Sequence, residues 1–115
     1  MTTWQGGCHC GRIAFEVDGE LGAVIECNCS HCQPKGYLMW FVPAAQFRLQ
    51  TPEGNLGTYR FNKHEIAHHF CPVCGVAPFA EGEKDGHKLA AVNVRCLAGI
   101  DLAGLDIRHV DGRSL

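Results

Sequence analysis

Seven of the eight cysteines fall into three short clusters. Cys8-His9-Cys10 offers two thiols, Cys27-Asn28-Cys29-Ser30-His31-Cys32 offers three, and Cys71-Pro72-Val73-Cys74-Gly75 offers two. Thiolates at such spacing are metal ligands, and zinc is the ion that gathers four of them into a tetrahedron. Two plus two closes one four-ligand structural site. The remaining three match the ligand count of a reactive zinc, whose fourth position stays open for water or substrate. The spacing therefore predicts two zinc ions per chain, one structural and one reactive. Residues 71–75 have the form of a zinc knuckle, in which Pro72 presets the turn and Gly75 lets the backbone fold back toward the sulfurs. Gly11, after Cys10, takes a comparable turn role. Spacing alone leaves open whether the knuckle at 71 pairs with the cluster at 8 or the cluster at 27.

An even cysteine count would also suit disulfides. Against that, Cys8 and Cys10 would point to one side of an extended segment, as would Cys27 and Cys29, so each pair faces a shared metal. The stretch from Met1 to Gly7 has neither the basic nor the apolar region of a secretory signal. The expected location is the cytoplasm, a reducing compartment in which clustered cysteines hold metal rather than pair with one another.

The elements that must hold these clusters read as strands. Ile13, Phe15 and Val17 alternate with Ala14 and Glu16 and end at Asp18-Gly19. Leu21 to Glu26 runs into the three-cysteine cluster, and Tyr37 to Val42 is a continuous apolar run fit for a strand covered on both faces. A helical turn over Pro43 to Gln46 precedes a strand from Phe47 to Gln50, and Thr51 to Gly57 is a turn. Thr58 to Phe61, Ile66 to Phe70, Val76 to Ala80, Leu89 to Arg95 and Ile107 to Val110 are further strands. Glu81 to Gly86 reads as a polar loop and Asp101 to Leu105 as a helical turn. About nine short strands argue an all-β domain spanning residues 1–115, with zinc compensating for a thin core.

Composition narrows the function classes. A hydrophobic content of 46% excludes a disordered chain. Ten Lys and Arg against twelve Asp and Glu give a net charge of −2 with no basic run, so no nucleic-acid footprint is present. No apolar stretch approaches the roughly 20 residues that a membrane helix needs.

Gly7-Cys8-His9-Cys10-Gly11, the strand Ile13 to Val17, the 27–32 cluster and His68-His69-Phe70-Cys71-Pro72-Val73-Cys74-Gly75 together resemble the glutathione-dependent formaldehyde-activating enzyme family. Val92-Asn93-Val94-Arg95-Cys96-Leu97 is similar to that family's closing segment. The family also includes a centromere-protein branch. The resemblance implies a β-tent of small antiparallel sheets pinned by zinc-cysteine knuckles. It assigns Cys8, Cys10, Cys71 and Cys74 to the structural zinc and Cys27, Cys29 and Cys32 to the catalytic zinc. It also implies a carbon–sulfur lyase acting on a small-molecule thiol and aldehyde, glutathione and formaldehyde in the family's reaction.

Charge supports that chemistry. Zinc with three thiolates carries 2 − 3 = −1, which makes it a weak activator of water but a good partner for an electron-rich thiolate. Such a thiolate would attack an aldehyde carbon to give a hemithioacetal, with a nearby acid protonating the alkoxide. His31, inside the cluster, and His68 are the candidates for that acid, and His31 could instead fill the fourth coordination position. His68 and His69 face opposite sides of one strand, and the resemblance favours His68. His9 should point away from the metal, and His64, His87 and His109 read as surface residues. Cys96 reads as a small buried hydrophobe, and Trp40, Phe41 and Phe70 as core. Lys35, Arg60, Lys63 and Arg95 are scattered singly and read as solvated surface charges. Two other classes fit the cysteines: a structural zinc module with both sites closed, and a thiol redox sensor.

Overall fold

The computed structural model describes residues 2–60 and 66–114, so the sequence readings at Phe61, Lys63 and His64 lie outside the described residues. Strand-forming segments dominate, and they assemble into two sheets. The smaller joins, in spatial order, β1 (Thr3–Gly7), β2 (Ala14–Asp18) and β5 (Phe47–Leu49). The larger runs from β10 (Asp106–Val110) through β3 (Ala23–Cys27), β4 (Met39–Pro43), β9 (His87–Asn93), β8 (Phe79–Lys84) and β7 (Ala67–Phe70) to β6 (Gly57–Tyr59). Every neighbouring pair is antiparallel except β10 and β3, which run parallel with Val110 opposite Cys27. The only α-helix among the described residues is one turn, α1 (Cys32–Lys35), stopped by Gly36 in the left-handed region. The all-β reading holds.

The core lies between the two sheets. Phe15 and Val17 of β2 meet Val24 of β3, Trp40 and Val42 of β4, and Ala90 and Val92 of β9. Period-2 alternation explains this contact, because these residues occupy the inward face of each strand. Phe15, Phe47 and Phe79 join the sheets through ring contacts at 5.0, 6.2 and 4.5 Å between centroids. A smaller cluster of Ile13, Phe79 and the fully buried Cys71 lies under the cysteines at 8 and 74. Each burial of this kind contributes roughly 25 cal/mol per Å² of apolar surface.

Several sequence readings are corrected. Residues 76–78 are not strand, and the supposed loop at 81–86 is mostly strand: β8 continues to Lys84 and meets β9 through a two-residue turn at Asp85 and Gly86. Both turn residues have positive φ, 53° and 79°, which is the tight hairpin geometry that Asp-Gly favours. The strand read to Arg95 stops at Asn93, whose Oδ1 accepts from the Arg95 N–H at 3.3 Å and folds Val94–Cys96 into a 3-10 turn. Residues 8–13 bend instead of running extended, because Gly11 at φ 88° and a 3.0 Å bond from the Cys8 N–H to the Ile13 carbonyl turn the chain back. Phe41 is 53% exposed and outside the core. It projects to the face opposite Trp40 and Val42, outside the small buried cluster of Tyr37, Met39, Ala77, Ala80 and Ala91.

Candidate metal centre and adjoining cavity

The bend after β1 and the knuckle after β7 bring four sulfurs together. Those of Cys8, Cys10, Cys71 and Cys74 all lie within 4.8 Å of one another. The Cys8–Cys10 and Cys10–Cys71 sulfurs are 3.7 and 3.6 Å apart. Four sulfurs around zinc at its usual bond length define a tetrahedron with edges of about 3.8 Å, so the spacing fits. The knuckle is held by the Gly75 N–H donating to the Cys71 carbonyl at 2.8 Å and the Cys71 N–H to the Val76 carbonyl at 2.9 Å. Gly75 stands at φ 82°, where a side chain would be strained. Backbone N–H groups of Val76 and Cys10 point at Cys74 and hold its thiol down to about 6. The N–H of Cys74 lowers Cys71 in the same way. Cys10 goes the other way: against the lowering pull of the Arg12 N–H, desolvation and the neighbouring cysteines raise its thiol to about 11, so a cation is needed to draw the proton from the whole group.

A second group forms where β3 gives way to α1. The sulfurs of Cys27, Cys29 and Cys32 also lie within 4.8 Å of one another. Among the described residues no fourth Cys, His, Asp or Glu joins them. The Cys29 N–H points at the Cys27 sulfur at 3.4 Å and the Cys32 N–H at the Cys29 sulfur at 3.3 Å. For Cys29, burial is outweighed by the N–H groups of Cys32 and His31, and its thiol is lowered. Cys32 goes the other way, raised by burial and by its neighbours Cys29 and Cys27. Three crowded thiols cannot all ionise together unless a cation offsets their repulsion, so the donor set fits a divalent soft metal.

Beside this group is a cavity of about 350 Å³ lined by His31, Lys35, Tyr37, Tyr59, His68 and Phe70. The His31 and His68 rings are 4.2 Å apart, and His31 also stacks on Tyr59 at 5.4 Å. Burial, then the neighbouring His31, pushes His68 down to about 4, so it is neutral at pH 7. Burial also lowers His31, with Lys35 adding to the effect. Tyr37 bridges the cavity and the cysteines, its phenol pushed up to about 12 by burial and by Cys32. His69 points to the opposite side of β7, between Thr58 at 3.0 Å and Glu81 at 3.4 Å.

The other residues singled out in the sequence lie elsewhere. His9, His87 and His109 are exposed, with His109 2.9 Å from Glu26. Cys96 belongs to neither sulfur group and lies half-buried on the side of Cys8 and Cys74, its thiol raised to about 11 chiefly by burial. Arg95 donates to the Gly36 carbonyl at 3.1 Å, behind α1. Of Lys35, Arg60 and Arg95, the cations among the described residues, only Lys35 lines the cavity.

The sequence reading missed what covers the three-cysteine loop. Residues 111–114, after β10, lie across it as a strap. Asn28, between two of the cysteines, donates its N–H to the Val110 carbonyl at 3.2 Å and its side-chain N–H to Asp111 at 3.1 Å. The Arg113 N–H returns a bond to Asn28 Oδ1 at 3.0 Å. No local signal exposes it, because Asn28 meets residues 111–114 only through the pairing of β10 with β3.

The family described as glutathione-dependent formaldehyde-activating enzyme has a model that matches residues 3–105. The fold is also similar to a crystal structure of a Rhodobacter sphaeroides protein, with a TM-score of 0.81 and 25% sequence identity, over 92% of this chain and 99% of that one. Residues 106–114, which carry β10 and the strap, lie beyond the matched family span.

Proposed function

For a chain that belongs to the glutathione-dependent formaldehyde-activating enzyme family, we propose a zinc-dependent carbon–sulfur lyase-like enzyme that adds a glutathione-like thiol to a formaldehyde-like aldehyde. The observation that carries this reading is the inequality of the two sulfur groups: four ligands in one and three in the other, among the described residues. Cys8, Cys10, Cys71 and Cys74 would hold a structural zinc. Cys27, Cys29 and Cys32 would hold the second ion, which when bound supplies stabilisation of an incoming thiol in its thiolate form.

The chain's own residues do the rest. In the reaction the sulfur–carbon bond forms, the carbonyl pair moves onto oxygen, and the thiol proton ends on that oxygen. The reverse step breaks the carbon–sulfur bond. His68, neutral at pH 7, carries one N–H and one acceptor nitrogen into the cavity wall, and its N–H suits donation to the developing oxyanion. His31, 4.2 Å away, and Tyr37 complete the polar part of the wall. Tyr59 and Phe70 supply its apolar part.

The test is Cys29→Ser in freshly reduced, zinc-loaded protein, with metal analysis and carbon-13 NMR of labelled formaldehyde with glutathione. The expected result is a fall from two zincs to one, loss of catalysed hemithioacetal formation, and a fold that remains. A variant with one zinc and full activity would refute the assignment. Two zincs each held by four protein ligands in X-ray absorption of the wild type would favour a structural module instead.

A further inference from the structure

The strap residue Arg113 connects the two halves of the three-cysteine group. Its Nε donates to the Asn28 carbonyl at 3.2 Å, on the backbone between Cys27 and Cys29. A terminal guanidinium nitrogen donates to Gln33 Oε1 at 3.0 Å, on the residue that follows Cys32. The adjacent Gly112 presses on the same cluster: a Cβ built there would run into the Cys27 sulfur and come within 3.3 Å of the Cys29 Cβ. Gly112 is not in the left-handed region, so a side chain is barred by the sulfur and not by the backbone. The strap is fixed at its own ends, where Ser114 donates to Asp111 at 2.7 Å and Asp111 accepts from Asn28.

We propose that Arg113 is a positioning residue for the three-cysteine centre, setting sulfur geometry and metal retention through its simultaneous hold on Asn28 and Gln33. The inference rests on the reading of that group as a zinc site. A chelate of three sulfurs on a short loop is only as rigid as the loop, and residues behind the ligands set the affinity by restricting them. The guanidinium is suited to this because its planar fork can bind two acceptors on separate segments, whereas an ammonium is a single point of charge.

The experiment is competition for zinc with a chromophoric chelator, together with cobalt(II) titration, on wild type, Arg113→Ala, Arg113→Lys, Gln33→Ala and Gly112→Ala. Arg113 is exposed, so folding is checked by the unfolding midpoint, and the four-cysteine equivalent is the internal control. The expected result is weakening of one metal equivalent by about 10- to 100-fold in Arg113→Ala, the usual effect of a lost supporting residue, with altered visible cobalt bands for that equivalent only. Arg113→Lys should resemble Arg113→Ala because one ammonium nitrogen cannot stand at both the Nε and the terminal-nitrogen positions that hold Asn28 and Gln33, and Gln33→Ala and Gly112→Ala should weaken the same equivalent. Wild-type affinity in Arg113→Ala, or full rescue by Arg113→Lys, would overturn the inference while leaving the zinc reading intact. A wild type that takes up a single equivalent would overturn both.

Discussion

Cutting the four-cysteine group should cost more stability than cutting the three-cysteine group, and the difference follows from chain geometry. A metal stabilises a fold only to the extent that it prefers the folded chain to the unfolded one. Cys27 and Cys32 are only five positions apart with Cys29 between them, so an unfolded chain can still gather them around an ion. Cys10 and Cys71 are 61 residues apart. Collecting that site in the unfolded chain closes a far longer loop, an added cost of about (3/2)RT ln(61/5), or about 2 kcal/mol. At free zinc about a thousandfold above the dissociation constant, the fully coupled site contributes about 4 kcal/mol. Losses of about 4 and about 2 kcal/mol are then expected for the two groups, or about 17 and 8 °C in midpoint for a chain of this length. Cys8→Ser/Cys10→Ser is the appropriate variant because those side chains are exposed or half-buried, whereas Cys71 is fully buried and a hydroxyl there would add its own desolvation cost. Its partner is Cys27→Ser/Cys29→Ser. The assay is urea and thermal unfolding with zinc and reductant present. Equal losses, or a larger loss for the three-cysteine variant, would refute the reasoning.

Two further outcomes follow from the cavity and the hairpin. His68 stays neutral in the folded chain down to about pH 4, while an unfolded histidine takes a proton near 6.5. The unfolded state therefore binds more protons between those values, and stability should fall as pH drops from about 6.5 to about 4; His68→Phe should flatten that slope in urea titrations, and an unchanged slope would count against it. Gly86→Ala forces a side chain into φ 79° with open space around it, so only the backbone objects. A loss of about 1–2 kcal/mol is expected, with metal content and catalysis unaltered because the turn is remote from both sulfur groups; altered metal content would show otherwise.

The sequence disclosed the sulfur chemistry well because ligands in a knuckle are local: Pro72 and Gly75 shape the turn that Cys71 and Cys74 need. It also disclosed strands with clean alternation, such as β2, whose Phe15 and Val17 face the core. β1 was illegible because Gln5, Gly6 and Gly7 carry no alternation, and its place is set by pairing with β2. Gly6 and Gly7 are there because a Cβ on Gly6 would meet the Phe15 ring and one on Gly7 the Ile13 carbonyl. The β8–β9 hairpin was misread although Asp85-Gly86 signals it, since the charged residues at 81–84 resemble a loop when the signal of the turn is passed over. Phe41 was misplaced because an apolar run does not say which of its faces is covered. The strap was out of reach for another reason: the contact between Asn28 and Arg113 depends on β10 lying parallel beside β3, and a parallel partner is not indicated by any local pattern.

That parallel pairing also bears on the order in which the molecule is made. A chain emerging from the ribosome has all four ligands of the first sulfur group once residue 74 is out, so that group can close while the rest is still being synthesised. The three-cysteine loop has its ligands much earlier, yet its backing arrives after the four-cysteine group is complete, since Asn28 waits for Arg113, 85 residues later. In vectorial synthesis the scaffold is thus pinned first and the reactive thiols are locked into place afterwards, so a product truncated before Asp111 would keep the pin and lose the lock.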